Sequence, residues 1–406
     1  MKKYVILTSS IIGIGGAQLY TRNKLNFLKE RGWEVEVLSF SEGDIVFNEL
    51  KEYEKSIVRA LYHVPQLHTE KFKDSLIKKY ILDGEYDEII IESHTIHLAI
   101  WGEVFAEKVK GKHLVFLLTE KFKRLSVEKM KFLDFKHSRK ELASISDKSL
   151  ELLFKDFKTV KDEERYVLKA TGSNNVVEDV PNEIIDSLGD CDVCIGTITR
   201  LEKDYVMPLL EEIIKFADRN KQLKVRYIIV GGSKYESVRK KIEDRASECS
   251  NLELIITGYL FPIPRSVFSK ADIFIGTAGG AGVPYREGVL TISVDCNTAA
   301  PIGIMGYNTK TSLYADGESN LNLQEMLDDI LIYNKYAEFI KSECKKKIVD
   351  INDVYKDFER HIEFIKNSDK NNDYFNMKDI KPLRSDYIKR LISLKITKKI
   401  LNKLSV

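Results

Sequence analysis

A chain of 406 residues with 43% hydrophobic side chains has the length of two to three domains and enough apolar surface for real cores. Its 64 basic and 62 acidic residues nearly cancel, so no global charge calls for nucleic acid or an acidic partner. Five cysteines scattered along the chain do not make a disulfide framework, and no run approaches the roughly 18 consecutive apolar residues of a bilayer span.

The opening MKKYVILTSSIIGIGGAQ has two readings. Two lysines, an apolar run and small residues suit a secretory signal. The same letters suit a buried strand feeding a glycine loop. Thr8, Ser9 and Ser10 interrupt the apolar run, and a helix and a second strand (WEVEVLSF) follow at once. The expectation is a strand-to-helix loop in a cytoplasmic protein. Gly13, Gly15 and Gly16 let backbone approach a ligand, and a helix starting near Ala17 presents free N–H groups, so the loop is an anion site or a tight turn. It is not the dinucleotide fingerprint, whose third glycine would fall on Gln18.

Two further strands follow, DEIIIES and HLVFLLTE. ESHTIHLAIW places His94 at a strand's carboxyl end, a position facing a cleft, and His97 one turn on, where a structural role is expected. LLTEKF places Glu120 at the next strand end; no ligand spacing supports a metal. Residues 121–140 carry eight Lys or Arg against two acids, interleaved with Phe122, Leu125, Met130, Phe132 and Phe135. Thr171 to Asp190 is polar and turn-rich, an expected linker. Cys191 and Cys194 have redox or metal spacing but run into the strand VCIGTI, with no second pair, so a structural role is expected.

The second half begins again with strands CIGTITR, VRYIIVGG, NLELIITGYL, ADIFIGT and TISVD, separated by helices. Val206, Leu209, Leu210, Ile213 and Phe216 recur at helical spacing, with Pro208 in the first turn. In TRLEKD, Arg200 and Lys203 lie between strand and helix; they are an ordinary solvated helix start or two cations suited to a diphosphate leaving group. In GTAGGAGVPYREG, Gly279, Gly280 and Ala281 offer backbone donors, and Glu287 is a surface residue or a ribose acceptor. From about Leu323 the chain is mostly helical. From Lys381 it holds eight Lys or Arg against one Asp, with Ile388, Ile392, Ile396, Ile400 and Leu404 four apart. That basic amphipathic helix suits an anionic membrane or packing on the first domain. A nucleic-acid role is disfavoured because no recognition module accompanies the basic stretches.

These alternations predict an α/β chain with two doubly wound, Rossmann-like domains facing a cleft, over 1–175 and 186–330, and a helical segment over 331–406. GGAQ with its helix and RGWEVEVLSF, then IGTITRLEK, IIVGGS, LIITGYL and ADIFIGT, resemble in order the GT-B retaining glycosyltransferases of family 4, bacterial polysaccharide type. The resemblance implies a first domain for the acceptor and a second for a UDP- or GDP-sugar. It implies a diphosphate held by Gly15, Gly16, Arg200, Lys203 and the Gly279–Ala281 loop, ribose on Glu287, and a base bordered by Gly258, Tyr259 and Leu260. It implies front-face transfer with retention and needs no cofactor or metal; the spelling DCD at 190–192 lies before a strand and is set aside as chance. His94 and Glu120 stand as catalytic candidates where the family has a histidine. The family's Glu-x7-Glu motif is GGAGVPYRE here, with Gly279 in place of the first carboxylate. The expected function is sugar transfer onto a glycan or lipid-linked glycan, in capsule or other surface polysaccharide synthesis, at the inner face of the cell membrane. The alternatives are a non-catalytic GT-B-like binding subunit and a nucleotide-sugar epimerase.

Overall fold

A computed structural model describes residues 1–119, 122, 124–170, 176–233, 235–309, 312, 321–347, 351–369 and 373–393. Glu120 and the sequence after Ser393 lie outside the described residues. The chain forms two compact units, residues 1–172 with 351–406, and residues 173–350.

The first unit runs β1 (Lys2–Leu7), α1 (Gly16–Glu30), β2 (Glu34–Leu38), α2 (Asn48–Lys51), α3 (Glu70–Tyr80), β3 (Glu88–Ser93), α4 (Ile96–Val109), β4 (Lys112–Leu117), α5 (Val127–Ser138), β5 (Leu142–Ser144) and α6 (Asp147–Phe154). Its five strands pair in the order β2-β1-β3-β4-β5, all parallel. Parallel strands are covered by helices on both faces, which is why β1, β3 and β4 are almost unbroken apolar runs. The opening residues are thus a strand inside the sheet: Lys3 is 1% exposed and its ammonium meets Asp83 at 2.9 Å. Thr69, Thr95, Ser126 and Ser146 cap the helices after them, each side-chain oxygen accepting a backbone N–H three residues on. Phe122, Leu125, Met130 and Phe132 join the core beneath β4 and β5, and Phe135 packs on Phe375. These five apolar side chains of the basic 121–140 stretch are therefore turned inward, while Val127 is exposed.

The second unit opens with β6 (Val177–Glu178) and α7 (Glu183–Asp186), where a linker was expected. There follow β7 (Val193–Ile198), α8 (Val206–Arg219), β8 (Val225–Val230), α9 (Glu236–Ala246), β9 (Leu252–Ile256), β10 (Ile263–Pro264), α10 (Ser266–Lys270), β11 (Ile273–Gly276), α11 (Gly279–Arg286), β12 (Leu290–Val294) and β13 (Pro301–Ile304). The six-stranded sheet has the order β13-β12-β11-β7-β8-β9, with only β13 antiparallel; β6 pairs with β10. The face of α8 built from Val206, Leu209, Leu210, Ile213 and Phe216 is buried against this sheet. α12 (Leu323–Leu327) and α13 (Ala337–Glu343) complete the unit. Residues 331–347 thus belong with the second unit, and only from Ile351 does the chain rejoin the first. There α14 (Ile351–Lys366) packs on α1, with the Phe27 and Phe358 ring centroids 5.5 Å apart.

Among the described residues no helix is long and apolar enough to cross a membrane, and no group of three potential metal ligands occurs. Asp192 accepts the Lys224 N–H at 2.7 Å, and burial pushes the Cys194 thiol up to about 12; both are structural.

Candidate functional site

In the second sheet β8 lies on one side of β7 and β11 on the other, so the chain reverses direction between β7 and β11. Such a switch point is where open parallel sheets leave a crevice at the strands' carboxyl ends. Four loops arrive there and pack so closely that glycine is required. A Cβ on Gly280 would lie 2.4 Å from the Ile198 carbonyl oxygen, and one on Gly276 would lie 2.9 Å from the Gly280 backbone. The start of α11 is therefore pressed onto the end of β7. Ala278 caps it at φ +49° and ψ −122°, a strained conformation for a residue with a Cβ. Its N–H and the Thr277 hydroxyl both donate to the Ser312 carbonyl, at 2.5 and 3.1 Å. The Gly280 and Ala281 N–H groups turn back onto Thr277 and Ala278 at 2.9 and 3.2 Å.

The β7 loop carries Thr199 to Tyr205. Buried Leu201 and Tyr205 anchor it, while Arg200 is exposed and Lys203 half-buried. Neither cation enters an ion pair among the described residues. Gly231, at φ +152°, admits this loop: a Cβ there would meet the Thr199 carbonyl oxygen at 1.7 Å. Gly231 also bridges Gly258, and Gly232 lies under the Tyr259 ring, where an added Cβ would come within 3.3 Å of the ring carbons. Partial burial raises the Tyr259 hydroxyl's pKa, with Glu202 adding to the shift and Arg200 opposing it, so the three groups share one electrostatic neighbourhood. A Glu202 carboxylate oxygen is buried there without a hydrogen-bond partner among the described residues. Nothing in the local sequence singles out Glu202.

The structure thus brings Arg200, Lys203, Gly258, Tyr259, Gly279, Gly280 and Ala281 onto one crest, with Leu260 half-buried beside Tyr259. Glu287 lies at the other end of α11. Eight residues separate it from Gly279, about 12 Å along a helix, and at the end of α11 its carboxylate is held by Arg265, which also binds Asp179 at 2.7 Å. Gly231→Ala should lower the second unit's stability by about 1–3 kcal/mol, the usual cost of overpacking, because the obstructing atom is backbone. A differential melt against Gly189→Ala, where a Cβ meets nothing within 4 Å, checks this.

In the first unit Gly15 caps α1 with no side-chain bond, and a Cβ at Gly16 would enter open space. The Gln18 amide donates to the Ser10 carbonyl at 3.1 Å, and Gly13, at φ +67°, donates its N–H to Asp44. These bonds hold the loop in place in front of the helix.

The first unit also holds a buried cluster of which sequence reasoning singled out only His94. The buried Glu92 carboxylate, on β3, accepts from Tyr4 at 2.5 Å, Tyr20 at 2.7 Å and the Lys24 ammonium, and it is 2.9 Å from His94 Nε2. Burial disfavours its charge, yet Lys24 and the His94 hydrogen bond outweigh this and hold the carboxyl well below its usual range. His94 Nε2 faces this carboxylate, and its Nδ1 is buried with no partner among the described residues; the residue is 2% exposed. His361 closes the cluster from α14. Burial, then Lys24, push it to about 3; its Nε2–H donates to the Lys169 carbonyl at 3.0 Å while Nδ1 lies 3.2 Å from both Lys24 and Tyr20. His97, as expected, is structural, its Nε2 at 2.7 Å from the Leu61 carbonyl.

No family model matches the chain, and no curated protein sequence matches it. Solved structures do. HepE from Anabaena, in complex with UDP and glucose, is 14% identical over 89% of this chain and 99% of its own, with a TM-score of 0.63. A glycosyltransferase from Rickettsia africae is 14% identical over 90% and 99%, with a TM-score of 0.57. The S. aureus MnaA–UDP structure is 13% identical over 90% and 96%, with a TM-score of 0.55. At these identities the likeness defines the fold: two parallel α/β units of the GT-B kind.

Proposed function

We propose that this chain is a glycosyltransferase that moves a sugar from a nucleoside diphosphate, a UDP-sugar above a GDP-sugar, onto a glycan acceptor. The observation that carries the reading is the convergence at the β7–β11 switch point of two cations outside any described ion pair with the glycine-led start of α11. UDP in the HepE and MnaA complexes supports the choice of base. Arg200 and Lys203 take the charge that develops on the leaving diphosphate, Gly279 to Ala281 approach it through backbone, and Gly258, Tyr259 and Leu260 border the base. Glu287 takes the ribose by giving up Arg265. Gly15 and Gly16 approach the donor's phosphates from the first unit, which takes the acceptor.

The acceptor oxygen bonds to the anomeric carbon on the face from which the bond to the diphosphate breaks, and the departing β-phosphate takes the acceptor proton; the configuration is thereby retained and neither a protein nucleophile nor a metal is required. His94 and Glu120 are kept as the catalytic candidates of the first unit. The acceptor is a growing surface polysaccharide such as capsule, lipid-linked, at the inner face of the membrane. Gly279 favours a second reading, a binding subunit without turnover, because it removes the carboxylate that the family resemblance places on the donor sugar.

Thermal shift against UDP, GDP, ADP and their sugars is the test. At a hundred times the dissociation constant a ligand adds about 2.7 kcal/mol. Stabilisation by UDP compounds followed by sugar transfer with retained configuration is expected. Stabilisation without transfer or hydrolysis selects the binding subunit, conversion of donor without acceptor selects an epimerase, and no stabilisation by any compound overturns the donor site.

A further inference from the structure

Residues 384–393 form a helix whose polarity is inverted with respect to the protein. Leu383 at its start and Tyr387, Ile388, Leu391 and Ile392 along it are about half exposed, at 48 to 59%. Its better covered residues are polar and helically spaced: Asp386, Arg390 and Ser393. Ser393 Oγ lies 3.0 Å from His63 Nε2, and Arg390, Asp386 and Lys389 all act on the His63 charge. A tail helix serving only to complete the first unit would place its apolar side on that unit. This one seats a polar stripe there and presents its apolar stripe outward.

We propose that this outward face is a docking surface for an anionic lipid bilayer, with the helix lying in the membrane plane. It rests on the proposed function for its purpose, a lipid-carried acceptor, but not for its test. Charge selects the occupant. From Lys381 the sequence has eight Lys or Arg against one Asp: Lys381, Arg384, Lys389 and Arg390 accompany Asp386, and the other four follow Ser393 without an acid. A second copy would bring the same positive charge into contact, which disfavours self-association. An anionic headgroup layer complements it, while the Leu and Ile side chains enter the acyl boundary beneath. The proposal is confined to this helix, since Phe122, Leu125, Met130 and Phe132 of the other basic stretch are packed in the core.

The full chain is mixed with vesicles of phosphatidylcholine alone, or with 30% phosphatidylglycerol, and sedimented. Binding to the anionic vesicles, at least ten-fold weaker to the neutral ones and weakened by 0.5 M salt, is expected. Leu391→Ser/Ile392→Ser should reduce binding more than ten-fold without moving the melting midpoint, since both side chains are exposed, or the thermal shift with UDP. Equal binding to both vesicles, or full binding by the variant, overturns the proposal. So does self-association that the variant abolishes, which would assign the face to a second copy. Loss of the UDP shift in the unmodified chain, with vesicle binding intact, would count against the donor site alone.

Discussion

Glu92→Gln should destabilise the first unit by about 3–5 kcal/mol, the cost of leaving a buried charge unpaired. Lys24 is completely buried; its ammonium pairs with the Glu92 carboxylate, donates to the Tyr20 hydroxyl at 3.0 Å, lies over the Tyr4 and Tyr20 rings and is 3.2 Å from the Nδ1 of His361, so Glu92 is the anion of this group. A neutral amide keeps the shape but leaves that cation without an anion. Both tryptophans of the chain, Trp33 and Trp101, are buried in the first unit, so urea unfolding followed by tryptophan fluorescence reads this unit selectively. Adding Lys24→Met to Glu92→Gln should recover much of the loss, because the unpaired charge then disappears with its partner. Equal midpoints for Glu92→Gln and the unmodified chain would refute the assignment of an ion pair.

The same carboxylate makes a statement about pH. Its pKa is depressed in the folded chain relative to an unfolded value of about 4.3, so its contribution is fully present above that value. It is lost as pH falls through the lower, folded pKa. Glu103 behaves alike: burial opposes its charge, but Lys136 and His113, each 2.8 Å away, hold its carboxyl far down. The fluorescence midpoint of the first unit should therefore begin to fall below about pH 6.5, where His361, pushed to about 3, stays neutral in the folded chain while an unfolded histidine takes up a proton, and should fall more steeply below about 4.3, where the two carboxylates add to the slope. Glu92→Gln should be less steep in the acid range, with the remaining slope carried by Glu103 and the buried histidine.

Why the sequence shows some of this and hides the rest follows from the distance over which each feature is specified. The long strands are written locally, as apolar runs with both faces covered, and α8 is written in its spacing of five apolar residues. β5 is three residues long and β6 and β10 two each, too short to carry a period; β13 is an antiparallel edge that the alternation of strand and helix does not call for. Glu92 sits in DEIIIES like a solvent-facing residue at the end of a strand. Its burial depends on Lys24, 68 residues away, and the cluster closes with His361, a further 269 residues along the chain from Glu92. At the crest the glycines were visible, because close backbone approach leaves only that residue type. Arg265 as the partner of Glu287 was not, since nothing local connects β10 to the end of α11. The tail's amphipathic period was legible as well, but which stripe turns to the protein is a tertiary fact.

Lys203→Ala should lower the rate of sugar transfer by 10²- to 10³-fold, the range observed when one preorganised donor to a developing charge is removed. The argument is electrostatic. In the ground state the diphosphate is already charged and water serves it nearly as well as an ammonium. In the proposed reaction charge concentrates on the β-phosphate as the glycosidic bond breaks, and the half-buried Lys203, whose backbone is hydrogen-bonded to Arg200 and Val206 ahead of α8, is the cation proposed to meet it. The loss should therefore fall mainly on kcat, with a smaller change in KM. Arg200 is exposed and gains less from exclusion of water, so Arg200→Ala should cost less than Lys203→Ala and depend more on salt. Neither side chain is paired in a described salt bridge or buried in the core, so both variants should melt as the unmodified chain does without ligand. A Lys203→Ala enzyme with unchanged kcat and raised KM would mean that the lysine only gathers substrate. One that transfers sugar normally would remove the β7 loop from the chemistry altogether and leave the α11 backbone as the phosphate's support.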